Sequence, residues 1–375
     1  MQKLNNKTKR IGIDARFYGP LGKGLGRYTQ EIVDKIVKLD TANEYVIFLL
    51  KENFNEFNSD NPKVKKVLAN VRWYTLSEQI FFPYYIWRER LDLMHFPHFN
   101  VPIFCPIKFI VTIHDLILIK FPTLRATTLG PLLYKIKNWS YKLVIKLAVR
   151  RSKVVLAVSE YTKNDIVQQF KISTDKVLVT YEGVAELSTP PKVKDNFIFR
   201  QYLLYVGNAY PHKNLEGLIK VFSEITKTRP DLKLVLVGKE DYFYHRLKDS
   251  AKSLAAKIIF PGYVADADLK SLYENALAYV FPSFYEGFGL PPLEAMAHGL
   301  PVVSSNKTCL PEVLGDAALY FNPDDETDMK NKIEQILSDE NLRASLRERG
   351  YGQIKKYSWQ DCAAKTLAVY KNQLK

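Results

Sequence analysis

The chain has 375 residues, enough for two domains with substantial cores. Its 47% apolar and 25% charged residues are the balance of a soluble globular protein, and no uninterrupted run of about 18 apolar residues suggests a membrane span. Lys and Arg number 54 against 40 Asp and Glu, giving a net charge of +14 and a pI near 9.3. That charge is uneven: residues 1–190 carry 29 basic against 17 acidic groups (+12), and residues 191–375 carry 25 against 23 (+2). An anionic partner is therefore expected for the first half only. Cys105, Cys309 and Cys362 lie far apart, which argues against a metal knuckle or a disulfide framework and for a reducing compartment. Ile11-Gly12-Ile13 is too short for a signal-peptide core, so a cytoplasmic location is expected.

In chain order, Arg10–Arg16 reads as the first strand. Gly19–Arg27 follows as a glycine loop, and a helix is expected over Tyr28–Leu39. Strand, glycine loop and helix form either a phosphate cradle built on Gly22, Gly24 and Gly26 or a flexible surface loop. The spacing is neither a Walker A loop nor the full dinucleotide fingerprint. Glu44–Leu50 and Leu91–Phe96 read as strands. Between them Ile80–Trp87 is strongly aromatic, and serves either as core or as an acceptor- or membrane-contacting surface. Phe109–Ile113 is an apolar strand with His114 and Asp115 at its carboxyl end, where doubly wound sheets place their sites.

Phe121–Lys153 holds eight basic residues and no acidic one. From Leu132 to Arg151, Leu133, Ile136, Tyr141, Val144, Ile145 and Ala148 recur at helical spacing, with Lys135, Lys137, Lys142, Lys146 and Arg150 between them. This is a basic amphipathic helix or helix pair, either packed on a core or lying on an anionic membrane. Val154–Val158 is a strand with Ser159 as helix cap, and Lys176–Thr180 closes the first sheet. Thr189-Pro190-Pro191 and Lys192–Asn196 read as an interdomain linker.

The second half restarts with strand Tyr202–Val206, loop Gly207–Asn214 and helix Leu215–Ile225, with Lys213 at the helix entrance where a diphosphate would be met. Leu232–Gly238 and Ile258–Val264 are strands, and the loop at Val264 is placed to meet a nucleotide base through backbone groups. Asp266 and Asp268 open a helix, where acidic residues act as caps, and no metal site is expected there. Ala276–Phe281 is a short strand, followed by F-P-S-F-Y-E-G-F-G-L-P-P-L-E. Gly287 and Gly289 allow a tight turn and close approach to a ligand, and Pro291-Pro292 start a helix that stops at Gly299. Glu286 is expected on the loop and Glu294 in the first helical turn. Two carboxylates beside backbone amides and a helix N-terminus suit a sugar joined to a diphosphate. Pro301–Ser304 is the next strand, Pro311-Glu312 is placed to flank a ribose, and Ser358–Asn372 is a final amphipathic helix.

The Glu286–Glu294 stretch resembles the E-x7-E signature of family 4 retaining glycosyltransferases, and the likeness runs from about Ile11 to Tyr370. It implies an α/β protein of the GT-B fold, two Rossmann-like domains facing across a cleft. The acceptor domain would span residues 1–190 and the nucleotide-sugar domain 191–357, with a helix at 358–375 crossing back to the first. It implies that Glu286 contacts the transferred sugar, Glu294 the ribose, His114 the sugar near its anomeric centre, and Lys213 the leaving diphosphate. Gly22 and Gly24, and the amides of Phe288, Gly289 and Leu290, would face the phosphates. The position after Gly207, commonly arginine in the family, is Asn208 here, which weakens the expected charge clamp and leaves His212 or another cation to help. No cofactor is implied beyond the donor substrate. The motif wording is most similar to mannosyltransferases that use GDP-mannose in surface polysaccharide assembly, with a glycan or lipid-linked glycan as acceptor. A UDP-sugar enzyme of the same fold, a nucleotide-sugar epimerase and a basic nucleic-acid-binding protein are the alternatives. With no nucleic-acid module in the sequence, the last is disfavoured. The resemblance also favours peripheral contact of 121–153 with the inner face of the cell membrane.

Overall fold

A computed structural model of the chain describes residues 8–20, 23–122, 130–184 and 201–375. Gly22, the 189–196 linker, the domain boundary within it, and residues 123–129 of the basic stretch lie outside the described residues. The chain divides into two compact units. The first comprises the described parts of Met1–Ile119, Leu129–Gly183 and Ser358–Lys375; the second comprises those of Lys120–Thr128 and Val184–Tyr357.

The first unit holds a seven-stranded sheet: β1 (Arg10–Asp14), β2 (Glu44–Leu49), β3 (Val64–Leu68), β4 (Leu93–Phe96), β5 (Phe109–Ile113), β6 (Val154–Ala157) and β7 (Val177–Val179). Its spatial order is β3-β2-β1-β4-β5-β6-β7, and every pairing is parallel. The second holds β8 (Tyr202–Val206), β9 (Lys233–Val237), β10 (Ile258–Gly262), β11 (Ala278–Phe281), β12 (Val302–Ser305) and β13 (Ala318–Phe321). Its order is β10-β9-β8-β11-β12-β13, again all parallel. Both are doubly wound sheets whose winding reverses, between β1 and β4 and between β8 and β11. Such sheets bind ligands at that reversal, beyond the strands' carboxyl ends. Helices cover both faces, so central strands such as F-I-V-T-I and V-V-L-A are buried along their whole length and read as unbroken apolar runs.

The final helix, Trp359–Gln373, is capped by Ser358 and packs against helix Lys23–Leu39 in the first unit. Its Tyr370 ties it to the sheet: the hydroxyl lies 2.6 Å from His95 Nδ1 on β4. Burial pulls the His95 imidazole down to about 3, so it is a neutral structural group.

Two sequence expectations are corrected, for the glycine loop and for Ile136, and one left open, the aromatic segment, is resolved. The glycine loop is shorter than expected, because the helix starts at Lys23 and takes in Gly24 and Gly26. Gly26 is there for contact: a Cβ would stand 2.0 Å from the carbonyl oxygen of Gly19. The aromatic segment is not simply core. It lies in helix Leu76–Arg88, which buries Phe82 and Ile86 and leaves Ile80, Phe81, Tyr84 and Trp87 exposed. Ile136, expected on the apolar stripe of helix Pro131–Arg151, is 55% exposed, while Ile145, Ala148 and Val149 make that helix's buried contacts.

Helix 76–88 is fixed by buried charge at both ends. Arg16, just past β1, is fully enclosed. It donates to Asp14 through Nε (2.8 Å) and Nη2 (2.7 Å), to Glu78 Oε1 (2.6 Å) and to the Val71 carbonyl (2.8 Å), and lies 3.7 Å from the Phe82 ring centroid. Asn100 Nδ2 and the Tyr74 amide complete the donors to Glu78. Burial works against the Arg16 charge, yet Asp14 and Glu78 hold it protonated. Burial also pushes the Glu78 carboxyl up against the pull of Arg16. At the far end Glu89 accepts from Arg10 (3.0 Å) and Lys65 (2.7 Å). Arg16→Met strands two carboxylates in the core and is expected to destabilise the protein by roughly 3–5 kcal/mol in urea unfolding. Glu78→Gln keeps acceptors for Arg16 and Asn100 and is expected to lose only about 1–2 kcal/mol.

Candidate active site

In the second unit the chemistry gathers where the loops after β8 and β11 meet. Beyond β8 the chain makes a short 3-10 turn, Pro211–Lys213, and Asn214 then takes a left-handed conformation (φ 55°) before helix Leu215–Ile225. This turn aims Lys213 at the loop after β11, where Nζ lies 2.5 Å from Glu286 Oε1. The two side chains keep 13% and 10% exposure. The loops are also joined through backbone, the Phe284 amide donating to the His212 carbonyl at 2.8 Å. Burial, and then the neighbouring Lys213, pull the His212 imidazole down to about 3. It is neutral near pH 7 and supplies no second positive charge. Asn208 shapes the loop: its backbone carbonyl accepts from the Tyr205 hydroxyl at 2.8 Å, and its Oδ1 accepts from the Tyr210 amide at 3.3 Å.

Glu286 is braced from the loop after β12. Its amide donates to Thr308 Oγ1 (3.1 Å), and its carbonyl accepts from the Cys309 thiol (3.4 Å). Thr308 has φ 57°, a left-handed conformation that a β-branched residue rarely takes. Such strain persists where the surroundings over-determine the geometry. Neither Thr308 nor Cys309 carries a sequence signal for this task.

Gly289 (φ 94°) turns the chain into helix Leu290–Ala297, and a Cβ there would stand 2.9 Å from Leu310. No side chain caps this helix. Pro291 and Pro292 remove two of its four terminal N–H groups, which leaves those of Gly289 and Leu290 as the end donors. Glu294 is the fifth residue of the helix, in the second turn and not the first as expected, and it accepts from the Tyr273 hydroxyl at 3.5 Å. Val264, beyond β10, is buried. Asp266 and Asp268 fall at the start of helix Asp266–Asn275, and the side chain of Asp266 lies outside the described residues. Beside the β8 loop a groove of about 370 Å³ is lined by Tyr210, Asn214, Phe243, Arg246 and Phe284.

In the first unit His114 follows β5 as expected, but both its ring nitrogens are engaged: Nδ1 lies 2.9 Å from Glu182 Oε1 and Nε2 2.9 Å from the Pro97 carbonyl. A carbonyl only accepts, so Nε2 carries a proton. The edge-on ring of Tyr28 lies 4.5 Å away. Asp115 orients the turn, accepting from the Ile117 amide at 2.9 Å. Burial works against a charge on His114, but the bond and charge of Glu182 outweigh it, and the imidazole is raised above its ordinary value. Glu182, 68 residues further on, is the partner that sequence reading missed.

A raised histidine stabilises the fold while it is protonated, so its contribution is full below about 6.5 and fades as pH climbs through the raised value. Glu182→Gln is therefore expected to lower the melting temperature most near pH 6. That deficit is expected to shrink toward pH 8 in a thermal scan of both proteins across buffers, where the neutral His95 and His212 contribute alike to each.

The comparisons with known proteins agree with this architecture. Residues 22–186 match the family model of Glycosyltransferase Family 4, and residues 193–353 match that of Glycosyl transferases group 1. O-antigen chain mannosyltransferase B of Escherichia coli is 35% identical over 233 residues, covering 59% of this chain and 61% of that protein. O-antigen chain mannosyltransferase RfbU of Salmonella typhimurium is 34% identical over 238 residues, covering 61% and 65%. The match thus spans less than two thirds of either relative. Among solved structures, sucrose-phosphate synthase from Thermosynechococcus elongatus superposes with a TM-score of 0.77 at 18% identity, over 97% of this chain and 98% of that one. With both family models matched in tandem and both sheets wound as described, the chain belongs to the group 1 and family 4 glycosyltransferases and has their GT-B fold.

Proposed function

We propose that this protein transfers a mannosyl residue from GDP-mannose, with retention of configuration, to a glycan or lipid-linked glycan acceptor in surface polysaccharide assembly. The observation that carries the reading is the Lys213–Glu286 pair at the winding reversal of the second sheet, with Glu294 on the next helix. The two relatives, both O-antigen chain mannosyltransferases by name, support mannose as the sugar.

Each group has a task its chemistry suits. The Lys213 ammonium neutralises charge that builds on the departing diphosphate, and the Gly289 and Leu290 amides donate to the same oxygens. The Glu286 carboxylate accepts from sugar hydroxyls and holds the anomeric carbon in place. Glu294 accepts from the ribose hydroxyls. His114, braced by Glu182 and Pro97, bounds the acceptor side. Asn208 leaves Lys213 as the principal cation of this loop, so its loss is costly. The reaction is positioning and leaving-group stabilisation, with no protein nucleophile and no cofactor or metal beyond the donor. The basic helix 131–151, within the 121–153 stretch, brings the enzyme to the inner face of an anionic membrane, where a lipid-linked acceptor would lie.

The test is nucleotide binding by thermal shift with GDP, UDP and ADP, followed by donor turnover. GDP is expected to stabilise the wild type selectively, and Glu294→Ala to weaken it by about tenfold or more. Lys213→Ala and Glu286→Gln are expected to cut kcat by roughly a hundredfold, with a smaller change in GDP affinity. Selective stabilisation by UDP would reassign the donor. Turnover of donor without any acceptor would point to an epimerase.

A further inference from the structure

We propose that helix Leu76–Arg88 is an interfacial membrane element, lying in the surface of an anionic bilayer with its outer face among the lipid headgroups. This rests on the membrane-facing part of the function proposed above, and names a second, separate element for it.

The observation is a stripe. Leu76, Ile80, Tyr84 and Trp87 are 83%, 67%, 55% and 65% exposed. Their spacing of four, four and three residues puts them on one side of the helix. Phe81, 55% exposed, widens that side. The buried residues Glu78, Phe82 and Ile86 occupy the opposite side. Water does not favour such a face: contiguous exposed apolar patches mark binding surfaces. The neighbouring loop extends it. The Ile103 amide donates to Gln79 Oε1 on the same helix (2.8 Å), and the next residue, Phe104, is 78% exposed.

Charge selects the partner. Between residues 72 and 90 the only acids are Glu78 and Glu89, both buried and paired with cations. The exposed charges there are Arg72, Arg88 and Arg90. An apolar stripe with cations and no exposed carboxylate is complementary to a headgroup layer of negative phosphates. A second copy of the same face would bring its three arginines against these. The composition points the same way, since Tyr84 and Trp87 pair an apolar body with a polar tip, as residues at water–lipid boundaries do.

Geometry fixes the mode of contact. Thirteen residues make a helix of about 20 Å, too short for a hydrocarbon core of about 30 Å. No described helix is long and apolar enough to cross a membrane. Helix 76–88 therefore lies on the surface. Helix Pro131–Arg151 joins it through Phe99, whose ring is 4.7 Å from Tyr141 on that helix and 5.7 Å from Tyr74 at the entrance of helix 76–88. Helix 131–151 exposes Ile136 and Trp139 among Lys135, Lys137, Lys142 and Lys146. It supplies long-range attraction, and helix 76–88 supplies the apolar insertion.

The test is sedimentation with vesicles of phosphatidylglycerol mixed with phosphatidylethanolamine, against vesicles of phosphatidylcholine alone. Wild type is expected to pellet with the anionic vesicles. Ile80→Ser combined with Trp87→Ser, both exposed and away from the buried charges, is expected to lower that partition by about tenfold or more, with unchanged melting temperature. Lys137→Glu with Lys142→Glu is expected to remove the salt dependence of binding. Brominated lipid chains are expected to quench wild-type tryptophan fluorescence, and Trp87→Phe to lose part of that quench while still pelleting. The proposal fails if wild type does not bind anionic vesicles, or if the double serine variant binds as wild type does. It also fails if wild type self-associates in the ultracentrifuge without binding vesicles and the serine variant is monomeric, since a second copy then covers the stripe. GDP binding, measured without vesicles, separates this from the function proposed above: loss of either result leaves the other standing.

Discussion

The winding reversal of each parallel sheet is the constraint on which the rest depends. Where β1 meets β4, and β8 meets β11, successive crossovers leave for opposite faces and open a crevice at the carboxyl edge. The chemically equipped residues stand a few positions past strand ends. Arg16 follows β1, His114 β5, Glu182 β7, Lys213 β8, Glu286 β11 and Thr308 β12. Each is placed by a strand buried on both faces, so the position of the loop base is set by core packing. The loops themselves need only local devices: a 3-10 turn for Lys213, a left-handed threonine for Glu286, a glycine and two prolines for the helix that bears Glu294.

Three largely buried carboxylate–cation sets recur in this frame, and one of them is sealed while two keep some access. Arg16 has no exposed surface, and its guanidinium donates to two carboxylates and a carbonyl. Removing it leaves buried charge with no cation, which makes it a structural tie. His114 and Glu182 keep 12% and 6% exposure, and Glu182 raises the imidazole above its ordinary value. Lys213 and Glu286 remain about a tenth exposed. Either can exchange its partner for a ligand oxygen without bringing a buried group to the surface. That partial access sets the Lys213–Glu286 and His114–Glu182 pairs apart from the Arg16 set, which is sealed.

Much of this was legible in the sequence, for identifiable physical reasons. Strands buried on both faces leave unbroken apolar runs, so β5, β8 and helix Leu215–Ile225 appear where they were expected. Ser159 and Ser358 cap helices because their hydroxyls accept from first-turn amides. The Glu286–Lys213 meeting was inferable only from the family resemblance, since 73 residues separate them. Glu182, Thr308 and Cys309 were not inferable, because their partners are set by tertiary approach. The glycine stretch misled because a loop and a close helix–loop approach both select glycine, and Gly26 serves the second. The 76–88 helix stayed ambiguous between core and surface for a subtler reason. Its buried and exposed sides are both largely apolar, so the periodicity that normally marks one inward face cancels.

That cancellation makes the polar residues decisive. By apolar area alone, helix 76–88 could roll half a turn, bury Ile80, Tyr84 and Trp87, and expose Phe82 and Ile86 instead. Such a roll would carry Glu78 away from Arg16 and Glu89 away from Arg10 and Lys65. The Arg16 guanidinium would be left buried with Asp14 as its remaining carboxylate and would lose its contact with the Phe82 ring. Breaking a buried ionic set from one side costs several kcal/mol, whereas exchanging one apolar stripe for another is nearly neutral. The two glutamates therefore choose which stripe faces outward. They keep an aromatic, carboxylate-free face on the surface at a fixed orientation, and a stability term of the first unit thereby becomes a determinant of what that unit can touch.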